Sequence, residues 1–180
     1  MSKYNSDSPN LYLVGFMGTG KSTIGRRVAD VLKMRFIDSD HAIEQSAEMR
    51  IPEIFEKHGE PHFRELEKHF VESGHPGKGA VVSCGGGLIV QPGILETLEQ
   101  KGVVVCLVAS IETILSRVSG NQNRPLLDVQ DQEKCIRALL QEREPLYRKV
   151  NAQIMTDQRP IGSVVQHLSR AYQHEAKRYI

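Results

Sequence analysis

Short apolar runs alternate with longer amphipathic segments along the chain. Five runs are almost continuously apolar, which is typical of strands covered on both faces; they span residues 11–14, 35–37, 80–83, 103–108 and 153–155. Between them, apolar residues recur with the period of a helix, most clearly at Ile24, Val28, Val31 and Leu32 and at Ile161, Val164, Val165 and Leu168. This alternation predicts an α/β fold in which helices flank a five-stranded parallel sheet.

Two segments do not fit this alternation. Residues 40–74 have a helical pattern with no strand before residue 80, so we expect a helical insertion at one edge of the sheet. Residues 119–131 are polar and rich in turn formers, which predicts a long exposed loop. A length of 180 residues favours a single domain over residues 1–180, and the polar residues 1–10 are expected to form a flexible tail.

Composition excludes several classes of function. The formal net charge is +1, so no global field favours nucleic acid or an anionic membrane. No apolar run approaches the roughly 20 residues of a membrane span, and the first ten residues lack an apolar signal core. Cys84, Cys106 and Cys135 are far apart and form no Cys-x-x-Cys motif, which indicates a reducing, cytoplasmic location.

A phosphate-binding motif follows the first apolar run and opens the first helical segment. Residues 15–22 fit the pattern G-x-x-x-x-G-K-[ST]. Glycines allow backbone N–H groups to surround phosphate oxygens, a lysine adds a cation for the terminal phosphates, and a serine hydroxyl is a hard ligand for Mg²⁺. The motif predicts an ATP and Mg²⁺ site formed by Gly18, Thr19, Gly20, Lys21, Ser22 and Thr23.

Switches and motors use the same loop, but the sequence argues against both. A regulatory GTPase needs Asn-Lys-x-Asp to read its base, and the chain contains none. A motor needs an apolar strand that ends in an acidic residue, whereas residues 80–83 and 103–108 are followed by Cys84 and Ala109. A small-molecule kinase remains.

Further motifs lie in a fixed order: GFMGTGKST at residues 15–23, FIDSD at 36–40, GE..FR..E at 59–67, CGGG at 84–87, RPLL at 124–127 and REPLY at 143–147. With them the chain resembles the shikimate kinase family from about residue 11 to 168. The resemblance implies a P-loop NTPase fold of the nucleoside-monophosphate-kinase type, with residues 40–74 as a substrate-binding helical insertion and residues 119–131 as a lid. It also implies an enzyme that uses ATP and Mg²⁺ to convert shikimate to shikimate 3-phosphate, in aromatic amino-acid biosynthesis. We expect a monomer.

Asp38 and Asp40 follow the second apolar run, at the edge of the sheet where open α/β folds bind ligands. If this segment stays extended, the two carboxylates lie on one side, where one could orient Mg²⁺ through water and the other a substrate hydroxyl. The resemblance implies that Asp38 serves the metal with Ser22, and that Asp40 orients or deprotonates the acceptor. Alternatively, one of the two aspartates, with Asp40 as the candidate, merely caps a helix that begins near His41.

Arg64 and Glu67 are three residues apart on a predicted helix. They either form a surface pair that contributes ~0.2–0.5 kcal/mol, or Glu67 holds a guanidinium fork that grips a carboxylate. Shikimate carries a carboxylate, and the resemblance implies the second role, with Arg143 beside Arg64; otherwise Arg143 is a solvated residue of its helix. Three glycines after a strand allow close backbone approach to the substrate, although a plain turn is the alternative; they are Gly85, Gly86 and Gly87.

Three arginines are predicted on the nucleotide side. The resemblance implies that Arg124, in the lid, closes over the phosphates, that Arg117 lies beside the adenine, and, on a weaker match, that Arg159 lies in a second adenine-side loop. His58 and His62 have the spacing of metal ligands, but Gly59 and Pro61 interrupt a helix there, so solvated side chains are expected.

Two alternatives stay open on the sequence. Another small kinase of this fold, acting on gluconate or a nucleoside monophosphate, would lack the FR..E and CGGG arrangement. A nucleotide-binding regulator without catalysis would not need Lys21, Ser22, Asp38 and Arg124 together.

Overall fold

A computed structural model describes residues 5–118, 132–150 and 152–179. Within these ranges five parallel strands form one sheet in the order β2-β3-β1-β4-β5. The strands are β1 (Asn10–Val14), β2 (Arg35–Asp38), β3 (Ala80–Ser83), β4 (Gly102–Val108) and β5 (Ala152–Met155). The predicted α/β fold is therefore confirmed, and the predicted strands agree with the observed ones within a residue at each end.

Seven α-helices of the described residues connect or cover the strands. They are α1 (Lys21–Leu32), α2 (Ser39–Ala47), α3 (Ile51–Ser73), α4 (Ile94–Lys101), α5 (Ile111–Val118), α6 (Gln132–Tyr147) and α7 (Ile161–Glu175). Short 3₁₀ turns occupy Leu88–Val90 and Ala176–Tyr179.

The three central strands β3, β1 and β4 are buried on both faces because they project apolar side chains alternately to each, whereas the edge strands β2 and β5 are partly exposed. In β1, Leu11 and Leu13 pack with α1 and α7, while Tyr12 and Val14 pack with the cluster that holds α2 to α6. Val31 departs from the predicted apolar face of α1 and is 58% exposed, because it lies in the last helical turn, where Leu32 provides the contact with the core.

The predicted flexible tail is wrong for Pro9 and Asn10. Pro9 bridges to Lys78, and Asn10 begins β1 and is fully buried. Its side-chain amide donates to the Pro76 carbonyl at 2.7 Å and accepts from the Ala80 N–H at 2.9 Å. Burial of this polar side chain is tolerated because its donor and acceptor atoms are both hydrogen-bonded. The same bonds join β1 to the loop before β3 and to the first residue of β3.

Helices α2 and α3 form the predicted insertion between β2 and β3. Helix α3 is kinked at Gly59, whose φ of 78° and ψ of 171° are not helical, and it resumes through Pro61. Residues 119–131, including Arg124, lie outside the described residues. Within the described part of the chain, no helix combines the length and apolar character needed to cross a bilayer.

Candidate active site

The phosphate-binding loop connects β1 to α1 by a close backbone path. Gly15 has a φ of 130°, and a Cβ at this position would collide with the carbonyl oxygen of Leu107 on β4. Gly20 is the N-cap of α1 with a φ of 93°, and no side chain of the described residues caps the helix there. The first turn of α1 therefore presents backbone N–H groups and a partial positive charge, which suit an anion.

Lys21 is curled back over this loop. Its side chain is buried, and its ammonium donates to the carbonyls of Gly15 at 2.8 Å and Phe16 at 2.9 Å. Next to it, the Ser22 hydroxyl donates to Asp38 Oδ2 at 2.7 Å. The loop thus places a cation beside a hydroxyl–carboxylate pair.

Asp38 and Asp40 reach the site differently from the sequence expectation. The segment does not stay extended, because α2 begins at Ser39, and the helix is capped by Asp38, whose Oδ1 accepts from the Asp40 N–H at 3.2 Å. One of the two aspartates is therefore a helix cap, as in the alternative interpretation, but it is Asp38 and not Asp40. Both carboxylates nevertheless line one cavity, Asp38 on the side of Ser22 and Asp40 against Gly85.

The chemistry of this corner fits Mg²⁺. The Ser22 hydroxyl and the Asp38 carboxylate are hard oxygen donors, and Mg²⁺ is commonly held by one or two such groups together with phosphate oxygens. Among the described residues, no group of three or more His, Cys, Asp and Glu side chains forms a separate metal cage. His58 and His62 lie with ring centroids 5.0 Å apart on α3, on either side of the kink.

A buried ion pair lies at the other end of the cavity. Arg64 Nη1 donates to Glu67 Oε2 at 2.7 Å, and its Nε and Nη2 donate to Glu60 Oε1 at 3.1 and 2.7 Å. The Glu67 side chain is only 2% exposed, so the surface-pair interpretation is wrong. A guanidinium has five N–H donors; three are used among the described residues, which leaves two for a ligand carboxylate.

Burial sets the electrostatics of this pair. It raises the pKa of Glu67, an effect that the bonds from Arg64 and Gln91 reduce and the nearby Asp40 increases. Burial alone would lower the pKa of Arg64, but its bonds to Glu67 and Glu60 outweigh that effect and raise it. The fork is therefore held in its charged form inside the cavity.

The glycine run Gly85–Gly87 after β3 lies close to Asp40 and Arg64, and side chains at its two ends would collide with them. A Cβ on Gly85 would lie 2.5 Å from Asp40 Oδ1, and one on Gly87 would lie 2.9 Å from Arg64 Nη1. The Gly86 carbonyl, in turn, accepts from the Tyr147 hydroxyl at 2.7 Å. The run is thus a tightly packed wall of the cavity rather than a plain turn.

Arg143 on α6 lies against this wall. It is 6% exposed, its Nη1 donates to the Gly86 carbonyl at 3.3 Å, and its guanidinium lies 5.9 Å from the Phe16 ring centroid. Its Nε is buried without a hydrogen-bond partner among the described residues. A buried donor without an acceptor is costly, as expected of a group that meets a ligand, and the solvated interpretation of Arg143 is wrong.

The remaining predicted residues are divided between the cavity and its surroundings. Arg117 lines the cavity and donates to the Gly18 carbonyl at 2.9 Å. Thr19 is buried behind the loop, with its hydroxyl on the Phe16 carbonyl at 2.8 Å. Arg159 bonds to the Met155 carbonyl and Ser163 instead of lining the cavity.

The cavity measures about 710 Å³ and extends from the phosphate-binding loop to Arg64 and Arg143. Sequence reasoning missed several of its lining residues, among them Arg50 and Phe55 from the insertion. It also missed Tyr147, which does not line the cavity but donates a hydrogen bond to the Gly86 carbonyl in its wall. Tyr147 carried a signal because it belongs to the REPLY motif, whereas Arg50 and Phe55 stand in an otherwise ordinary amphipathic segment.

The family model described as shikimate kinase matches residues 17–173. The chain belongs to the shikimate kinase family. The resemblance inferred from the spaced motifs is confirmed.

Relatives and solved structures of this family cover nearly the whole chain. The shikimate kinase of Caldanaerobacter subterraneus subsp. tengcongensis is 45% identical over 163 residues, which are 91% of this chain and 95% of the relative. The structure of shikimate kinase from Acinetobacter baumannii in complex with shikimate has a TM-score of 0.88 and 41% identity, covering 94% of this chain and 95% of that one. A gluconokinase from Sinorhizobium meliloti, with a TM-score of 0.59 and 14% identity over 97% of both chains, shares the fold alone.

Proposed function

We propose that this protein transfers the γ-phosphoryl group of ATP to a hydroxyl of shikimate, forming shikimate 3-phosphate on the route to the aromatic amino acids. The observation that carries the proposal is one continuous cavity with a phosphate-binding loop at one end and the arginines Arg64 and Arg143 at the other. Membership in the shikimate kinase family supports the same substrate pair.

The nucleotide end binds through backbone and charge. Residues 15–20 and the first turn of α1 surround the phosphates, and Lys21 moves its ammonium from the Gly15 and Phe16 carbonyls to the β- and γ-phosphates. Arg117, held on the Gly18 carbonyl, covers the adenine side. Ser22 and Asp38 would hold Mg²⁺, which supplies neutralisation of the phosphate charge when bound.

The acceptor end binds through side chains. Arg64 keeps two N–H donors for the carboxylate of shikimate, and Arg143 approaches from α6 along the glycine run. Asp40, packed against Gly85, orients the attacking hydroxyl and accepts its proton. The bond from the γ-phosphorus to the bridging oxygen of ADP breaks as the bond to the acceptor oxygen forms, and Lys21 stabilises the charge that is spread over the transferring group.

Several finer assignments belong to the same proposal. Arg124 covers the transferring phosphoryl group, Arg159 assists on the adenine side, and the enzyme works as a cytoplasmic monomer. The free cysteines Cys84, Cys106 and Cys135 support a reducing compartment.

Release of ADP, measured with shikimate, gluconate and AMP as alternative acceptors, tests the function. We expect turnover with shikimate alone, because only shikimate offers both a carboxylate for Arg64 and ring hydroxyls for Asp40. Turnover with gluconate or AMP but not with shikimate would contradict the proposal.

A further inference from the structure

We propose that Gln91 is a positioning residue that fixes Glu67, and through it Arg64, on the acceptor side of the cavity. The inference deepens the proposed function and rests on it for its kinetic test. Its structural part, the control of a buried carboxylate by one amide, can be tested on the free protein.

The contact that carries the proposal joins two distant segments. Gln91 Nε2 donates to Glu67 Oε2 at 2.9 Å, and this same oxygen accepts from Arg64 Nη1 at 2.7 Å. The amide therefore holds the oxygen that aims the guanidinium. Within the described residues, the Glu67 carboxylate accepts hydrogen bonds from Arg64 and Gln91 alone. Without the Gln91 donor it could rotate and take Arg64 Nη1 with it.

Gln91 is well placed to hold a fixed position because its own segment is anchored. It follows the 3₁₀ turn Leu88–Val90, in which Leu88 is fully buried and Ile89 is 3% exposed. The turn starts from the glycine run, where the Leu88 N–H donates to the Gly85 carbonyl at 3.1 Å. One stretch thus meets the Arg64 site twice: Gly87 lacks the Cβ that would collide with Nη1, and Gln91 holds Glu67.

The charged groups around Glu67 determine how its pKa would respond to loss of the Gln91 side-chain amide. Arg64 faces it from α3, with Glu60 on the far edge of the guanidinium; Asp40 faces it from α2, and the Cys84 thiol lies at the end of β3. Gln91 is the neutral donor in this set, and its bond lowers the pKa of Glu67. Removing it should raise that pKa and weaken the aim of Arg64 without touching the nucleotide end.

The test compares Gln91→Met, which keeps the size but loses the donor, with the control Gln100→Met on the exposed face of α4. In the free protein, carbon-13 NMR of labelled glutamate carboxyls, with Glu67 assigned from Glu67→Gln, should show the Glu67 midpoint rising by about one pH unit in Gln91→Met. The acceptor KM should rise about five- to tenfold with the ATP KM unchanged, and the acidic limb of kcat/KM should move to higher pH. Gln100→Met should change none of these values.

A second variant guards against misfolding. Gln91→Glu places a second carboxylate against Glu67, so the pair should titrate at a still higher pH. A Glu67 midpoint at the wild-type value in either variant overturns the proposal, as does an acceptor KM that stays at the wild-type value in Gln91→Met. If the wild-type protein does not phosphorylate shikimate, the proposed function fails, and the Glu67 midpoint in the free protein still decides the role of Gln91.

Discussion

The two ends of the cavity are built in opposite ways. At the nucleotide end, the main groups are backbone atoms and one lysine, and they come from a single stretch at residues 15–22. At the acceptor end, the main groups are charged side chains from α2, α3 and α6 and a glycine run, joined by a buried ion pair. The first end therefore depends on local backbone geometry, whereas the second depends on the packing of segments far apart in sequence.

Removal of Lys21 should have the largest effect, because it deletes the only side-chain cation of the phosphate-binding motif. Lys21→Ala should lower kcat by a factor of about 100 to 1,000, as for loss of other groups that stabilise transition-state charge, while the melting temperature changes little. Steady-state kinetics and thermal unfolding check both parts. Lys68→Ala on the exposed face of α3 is the control, and near-normal turnover of Lys21→Ala would remove the role of the loop in catalysis.

Removal of Arg64 should affect the acceptor and spare the nucleotide. Arg64→Ala leaves the carboxylate of bound shikimate without its cation and should cost about 2–5 kcal/mol of acceptor binding. Titration calorimetry with shikimate and with an ATP analogue separates the two ends. The control is Arg137→Ala, which breaks an exposed i,i+4 pair with Glu133; if both variants bind shikimate equally well, the acceptor end has been misassigned.

The buried carboxylate should make stability depend on pH. Burial raises the pKa of Glu67 above its ordinary 4.5, so the folded protein holds this proton more tightly than the unfolded chain does. The stability due to this proton is present below pH 4.5 and is lost as the pH rises through the raised pKa. Relative to Glu67→Gln, which cannot ionise, the wild type should therefore lose unfolding free energy over this range.

Chemical denaturation at a series of pH values measures this difference. Glu72→Gln, on the exposed face of the same helix, should track the wild type at every pH. A constant difference between wild type and Glu67→Gln would mean that Glu67 has an ordinary pKa and is not buried at the acceptor end.

The smallest effect is expected at the support of the glycine run. Tyr147→Phe removes one hydrogen bond to the Gly86 carbonyl and should raise the acceptor KM a few-fold, in line with the ~1 kcal/mol of a neutral hydrogen bond. Tyr172→Phe loses a similar bond, to the Pro9 carbonyl at 2.7 Å, far from the cavity. It should lower stability alone, and an equal KM in both variants would exclude Tyr147 from acceptor binding.

The contrast between the ends also explains what the sequence could predict. Strand boundaries and the phosphate-binding loop were predictable because continuous apolar runs and a local motif determine them. The hydrogen bond between Asp38 and Ser22 could be seen only in the three-dimensional fold. Asp38 and Asp40 do line one cavity, but because α2 begins at Ser39 and not because the segment is extended, as the sequence had suggested.

The acceptor end was predictable in its residue types but not in its contacts. Nothing in the spacing of Arg64 and Glu67 distinguishes a surface pair from a buried one, since burial depends on how α3 packs. Gln91 carried no signal at all, because a single glutamine after an apolar turn is ordinary in sequence. Its meaning appears only when the turn brings it to Glu67.

The strand order has a consequence for how such a protein can change over generations. The central strand β1 carries the phosphate-binding loop; β3 and β2 lie on one side of it with Asp40, Arg64 and the glycine run, and β4 and β5 lie on the other side, joined through α6, which carries Arg143. Substitutions on both sides of β1 can therefore alter which alcohol is accepted while the loop at residues 15–22, on the central strand, continues to serve the same nucleotide.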